Sequence, residues 1–152
     1  MSAAATQSTV PLYHEGKRFW QELVDECKRH VQGINSAAVA RGIALDSLVQ
    51  IQPGPDIHMY KTGYPATDVK ALLSFMPWGP VIQCIIAGAR DAEHRLLTCE
   101  FEMPVARDLD GETVAVFDEG RSFSPLEVAS YLTQPFRGCF RNIPLPCGRD
   151  QQ

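Results

Sequence analysis

The chain has 152 residues, of which 45% are hydrophobic and 21% charged, the balance of an ordinary globular domain that buries its own core without staples. Its net charge of −4 argues against a general nucleic-acid binder, whose affinity rests on neutralised phosphates. No run approaches the roughly 20 apolar residues of a membrane-spanning helix, so neither nucleic acid nor membrane is an expected partner.

Residues 1–12 are small and polar with Pro11 and read as a disordered lead-in. A single α+β domain is expected over residues 13–143, followed by a flexible tail at 144–152 marked by Pro144, Pro146 and Gly148. The first element is an amphipathic helix from His14 to Arg41. Phe19, Leu23, Cys27, Val31, Ile34 and Ala38 recur at steps of three and four, and Lys17, Arg18, Glu22, Asp25, Lys28 and Arg29 fill the opposite face. Gly42 supplies the stop. Gly33 and Asn35 are poor helix formers and leave room for a break near residues 33–36 in what otherwise reads as one long helix.

From residue 47 the period changes from near 3.6 to 2, and five or six antiparallel strands are expected. They cover 48–51, 57–62, 69–76, 81–87, 94–105 and 113–117. In the third strand Val69, Ala71, Leu73 and Phe75 share a face. The fourth is almost continuously apolar, as suits a central strand. In the fifth, Leu97, Cys99, Phe101 and Met103 oppose Thr98, Glu100 and Glu102. Turn signals separate the strands with no helix between them, which favours a meander over crossover units. Asp110-Gly111 reads as a hairpin turn rather than a calcium loop, since the glycine arrives too early for one.

Ser124-Pro125-Leu126-Glu127 is a capping box with proline at the first helical position. The helix it opens carries Leu126, Ala129, Leu132, Phe136 and Phe140 as its apolar stripe. Pro135 predicts a kink or an end nearby. The two helices are the available cover for one face of the sheet.

No motif amounts to a chemical signature. The four histidines, His14, His30, His58 and His94, lack metal-ligand spacing, so no metal or cofactor is expected. The candidate binding residues are His58 and Tyr60 on one face of the second strand, Glu100 and Glu102 on the polar face of the fifth, Trp78 in the turn Pro77-Trp78-Gly79-Pro80, and Arg121 before the last helix. If His58, Tyr60 and the two glutamates shared a side of the sheet, they could line a pocket for acid–base work. Solvated outer faces are the plainer account of the same residues. Arg121 could hold an anion at the helix start, or simply pair with Asp118 or Glu119.

Nine acidic residues against two arginines make the segment from Asp91 to Glu119 net −7 and leave the remainder net +3. Such a surface steers a basic partner. The five cysteines include no C-x-x-C pair, and the start of the chain lacks a signal-peptide pattern. Free thiols and a cytoplasmic location are therefore expected. The expected function is a non-enzymatic module binding a basic protein or peptide, with a homodimer also in view. The alternative is a small enzyme or small-molecule binder with a pocket near His58 and Tyr60.

Overall fold

In the computed structural model the described residues are 2–43, 48–52, 54–61, 67–90, 96–117 and 119–141. The order is α1 (Ser2–Ala40), β1 (Gln50–Gln52), β2 (Ile57–Lys61), β3 (Thr67–Met76), β4 (Gly79–Arg90), β5 (Leu96–Arg107), β6 (Thr113–Phe117), β7 (Arg121–Phe123) and α2 (Pro125–Arg141). The fold is α+β. Its strands form one antiparallel meander in sequence order, with β4 at the centre, as the almost continuously apolar sequence of that strand predicts.

The sheet has seven strands rather than five or six. The additional one, β7, is only three residues long, too short for alternation to be visible in sequence. It pairs with β6 through Ala115↔Phe123, Val116↔Ser122 and Phe117↔Arg121.

The helical stripe of α1 is buried as its spacing predicts, from Phe19 through Leu23, Cys27, Val31 and Ile34 to Ala38. The helix starts earlier than expected, at Ser2. Residues 2–12, assigned from sequence to a lead-in, thus continue it, in keeping with the high helix propensity of Ala3, Ala4 and Ala5. No break occurs at residues 33–36. Buried Val31, Ile34 and Ala38 outweigh the cost of Gly33, about 1 kcal/mol, and the Asn35 side chain is employed in bonding elsewhere. The C-terminus closes as a Schellman turn: Ile43 N–H donates to Ala38 O and Gly42 N–H to Val39 O, both at 3.0 Å, with Gly42 at φ 85°.

Near the start of its described side chains, α1 is clamped to the β5–β6 hairpin. Arg107 and Thr113 face each other across that ladder and both donate to the Glu15 carboxylate, Thr113 Oγ1 at 3.0 Å and Arg107 through Nε at 3.3 Å and through Nη2. The hairpin loop is organised by Asp108, whose Oδ1 accepts the N–H groups of Asp110 and Glu112 at 2.9 Å. Gly111 takes φ 82°. The Asp110-Gly111 turn is therefore part of a longer loop closed by an aspartate.

The capping box forms in both directions: Ser124 N–H donates to Glu127 Oε1 at 2.9 Å, and Glu127 N–H to Ser124 Oγ at 3.2 Å. α2 does not end at Pro135 but runs to Arg141. An interior proline costs about 3 kcal/mol. Complete burial of Leu132 and Phe136 returns roughly 3–6 kcal/mol, enough to carry the helix past it. Leu126 is exposed, and Val128 takes the core position instead. The Phe140 side chain and the expected tail at 144–152 lie outside the described residues.

Both helices pack on one face of the sheet. Ile57, Met59, Val69, Ala71, Ile82, Cys84, Ile86, Cys99, Met103, Val105 and Ala115 meet them there. Cys27 and Cys84 are free and buried, and burial pushes each thiol up to about 12. Cys99 is disulfide-bonded, so the expectation of free thiols fails at that position. None of the helices formed by the described residues is long and apolar enough to cross a membrane.

Candidate functional site: the open face of the sheet

Strand alternation sends every second side chain away from the helices. The register fixes which residues share that outer face. His58 stands opposite Lys70, Lys70 opposite Ile85, and Ile85 opposite Glu100. One row further along, Leu72 faces Gln83 and Gln83 faces Glu102. His58, Tyr60, Glu100 and Glu102 therefore do lie on one side of the sheet. They do not form a cluster. Three strand spacings of about 4.8 Å put the backbones at His58 and Glu100 about 14 Å apart.

Each end of that row has its own partners. His58 Nε2 is 3.1 Å from Asp68 Oδ2, and its ring centroid is 5.0 Å from that of Tyr60. Gln52 Nε2 reaches the Tyr60 hydroxyl at 3.5 Å. At the other end, Ser74 Oγ donates to Gln83 Oε1 at 3.0 Å, and Gln83 Nε2 donates to Glu102 Oε2 at 3.2 Å. This chain of bonds spans β3 to β5 and holds the Glu102 carboxylate in place.

Between the two ends is a hollow of about 490 Å³. Its floor includes Leu72 and Ile85, which are 44% and 42% exposed. Asp56, Glu100 and Glu102 surround the floor together with Lys70 and Gln83. An apolar floor with an excess of carboxylates suits a partner that is both apolar and cationic.

Trp78 is 71% exposed at the tip of the β3–β4 hairpin. On the strand that leads to this tip, Phe75 is also exposed, its ring centroid 4.5 Å from that of exposed Tyr13. Trp78 is thus at the surface, apart from the hollow. Arg121 lies with its guanidinium 5.5 Å from the Phe123 ring centre, and Ser124 already caps the helix beside it. Among the described residues no three His, Cys, Asp or Glu side chains gather as metal ligands would.

Leu72 and Ile85 were missed in sequence, although a signal existed. Leu72 falls on the outward phase of β3, between Lys70 and Ser74, where a polar residue is normal. Ile85 was hidden inside the continuous apolar run of β4. No family model, no curated protein and no solved structure matches the chain.

Proposed function

We propose that the open face of the sheet is a docking surface for a protein or peptide of basic, amphipathic character, and that the chain acts by binding rather than by catalysis. The observation that carries this reading is the pairing of exposed Leu72 and Ile85 with Asp56, Glu100 and Glu102 around one hollow. A half-exposed leucine and isoleucine side by side on a solvent-facing sheet forgo burial worth about 0.6–1.3 kcal/mol each, the exposed fraction of the full-burial value. A partner that covers them recovers it, while its lysines or arginines meet the carboxylates. The separation of His58 from Glu100 removes the support for a joint acid–base group.

The test is calorimetric titration with an amphipathic Lys/Leu peptide at low and high salt. Binding that weakens as salt rises, and that is lost in Glu100→Lys/Glu102→Lys, supports the proposal. Binding unchanged in that double variant overturns it. Measuring the mass of the free chain at the titration concentration separates a peptide partner from a second copy occupying the same face.

A cytoplasmic location belongs to the same proposal and rests on the free thiols of Cys27 and Cys84. The disulfide at Cys99 weighs against it. Thiol counting on denatured protein taken directly from cells decides: all five cysteines reactive supports the cytosol, and two fewer overturns it.

A further inference from the structure

We infer that the basic partner is gripped by its main chain: an extended segment of it, with lysine or arginine alternating with apolar residues, adds as a strand to the free edge of β5. This rests on the reading of the open face as a surface for a basic partner, and adds how that partner is held.

The edge follows from unequal strand lengths. β5 runs from Leu96 to Arg107 and is paired with β4 from Leu96 to Pro104. β6 pairs with β5 only at Val105, Ala106 and Arg107. Among the described residues, β5 from Leu96 to Pro104 therefore has no strand along its second side. Pro104 shows which main-chain groups face that side. It has no N–H, yet it stands opposite Val81 in the β4 ladder, so it occupies a position whose main-chain groups point away from β4. Alternation turns the N–H and C=O of Glu102, Glu100 and Thr98 the same way. These three stand opposite Gln83, Ile85 and Ala87. At the rise of a strand, the stretch from Thr98 to Glu102 is about 14 Å long, enough for a short extended segment to bond along it, as peptides do when they add to an exposed sheet edge.

The side chains then select the occupant. Thr98, Glu100 and Glu102 are exposed and share the outer face. In an antiparallel addition, the residues directly opposite them carry their side chains on that same face, about 5 Å away. Lysine or arginine there meets a carboxylate, while an acidic residue is repelled. Glu102 is held in place by the neutral amide of Gln83, 3.2 Å away. On the inner face, half-buried Phe101 lies against Phe117, with ring centroids 4.8 Å apart. The alternate residues of the added strand come down on that side, where apolar side chains suit the two rings. A second copy of the chain is a poor occupant. Two β5 edges paired antiparallel about Glu100 would set Glu100 against Glu100, and like charges directly opposite are destabilising.

The test uses the full chain and two peptides of one composition, an alternating Lys-Val-Lys-Val-Lys and a rearranged Lys-Lys-Val-Val-Lys. Calorimetry gives the affinities, and hydrogen exchange followed by NMR reads the edge. The alternating peptide is expected to bind about tenfold more tightly. The residues opposite Glu100 and Glu102 are those whose N–H groups face β5. N-methylation of the central lysine should therefore weaken binding by about tenfold, the loss of one main-chain bond, and N-methylation of a valine should not. The amides of Thr98, Glu100 and Glu102 should exchange freely in the chain alone and slow on binding. Protection of those three amides in the free chain would overturn the proposal, because the edge would already be covered. Equal affinity of the two peptides, equal effects of the two methylations, or binding without new protection at the three amides would overturn it as well, while leaving the open face as a site for a basic partner. Absence of salt-sensitive binding by these peptides and by the amphipathic Lys/Leu peptide alike would remove that reading, and this one with it.

Discussion

The Asn35 carboxamide pairs with the backbone of Val49 as a neighbouring strand would: Nδ2 donates to the Val49 carbonyl and Oδ1 accepts the Val49 N–H, both at 2.9 Å. The side chain thereby ties the last quarter of α1 to the residue that enters β1. It also satisfies two backbone groups at an edge of the sheet where no further strand supplies partners. Replacing it with alanine leaves both groups unpaired. Asn35→Ala is expected to destabilise the fold by about 1–2 kcal/mol even though alanine is the better helix former. Asn35→Asp keeps the acceptor but turns a carboxylate oxygen toward the Val49 carbonyl, so it should not rescue. Urea denaturation gives the free energies, and faster hydrogen exchange at the Val49 amide identifies the bond. An unchanged Val49 exchange rate in Asn35→Ala would refute the assignment.

Two glycines on α1 should respond to the same substitution with opposite sign. A Cβ on Gly16 would sit 2.9 Å from both Cβ and Cγ of Pro80, and a proline ring has no flexible end that can move aside. Glycine is what lets α1 approach the start of β4 there. Gly16→Ala is expected to cost about 1–3 kcal/mol, as overpacking does. Gly33 is exposed, with open space around its Cβ position, so Gly33→Ala should gain up to about 1 kcal/mol from helix propensity. Thermal or urea unfolding of the two single variants checks the pair, and a stabilised Gly16→Ala would show that α1 does not approach Pro80 as closely as described.

The contrast between these positions shows what periodicity can and cannot reveal. The core stripe from Phe19 to Ala38, the meander and the Ser124 cap were legible because each depends on neighbours within one or two turns or on alternation within one strand. Asn35 looked like a helix breaker because its partner is 14 residues further along, beyond any local window. Nothing in the local sequence marks Gly16, because the proline that excludes its Cβ is on β4. The site suffered in the same way. That His58 and Glu100 share a face could be conjectured, but the two strands between them are a matter of sheet order.

The Glu15 clamp predicts a dependence on pH. Arg107, hydrogen-bonded to it, holds the Glu15 carboxyl below its ordinary range against an opposing push from burial, and the Thr113 hydrogen bond adds a smaller lowering. A carboxyl whose folded value is depressed contributes stability that is fully present above the unfolded value, near 4.3 by reference. That stability is lost as pH falls through the folded value. Wild type should therefore be more stable than Glu15→Gln at pH 7, and the gap should narrow as pH falls below about 4. Urea denaturation of both proteins from pH 7 to pH 3 measures it. A gap that stays constant across that range would mean that the contribution of Glu15 does not come from its charge.

The buried thiols give the last prediction. Cys27 and Cys84 belong to the core where α1 meets β4, and burial raises each to about 12. The thiolate is the species that reacts with alkylating agents. At pH 8 an ordinary cysteine near 8.5 is about one quarter thiolate, whereas one near 12 is roughly a thousandfold or more below that, before any effect of access is counted. Iodoacetamide at pH 8 should leave Cys27 and Cys84 unmodified in the native protein and label both in denaturant, as read by peptide mass mapping. Labelling in the native state should then track opening of the α1–sheet contact. Asn35→Ala, which loosens α1 at β1, should raise the labelling rate about tenfold for each 1.4 kcal/mol of lost stability if the helix and sheet separate as one unit. Rapid native labelling of Cys27 in wild type would contradict the burial of that face of α1.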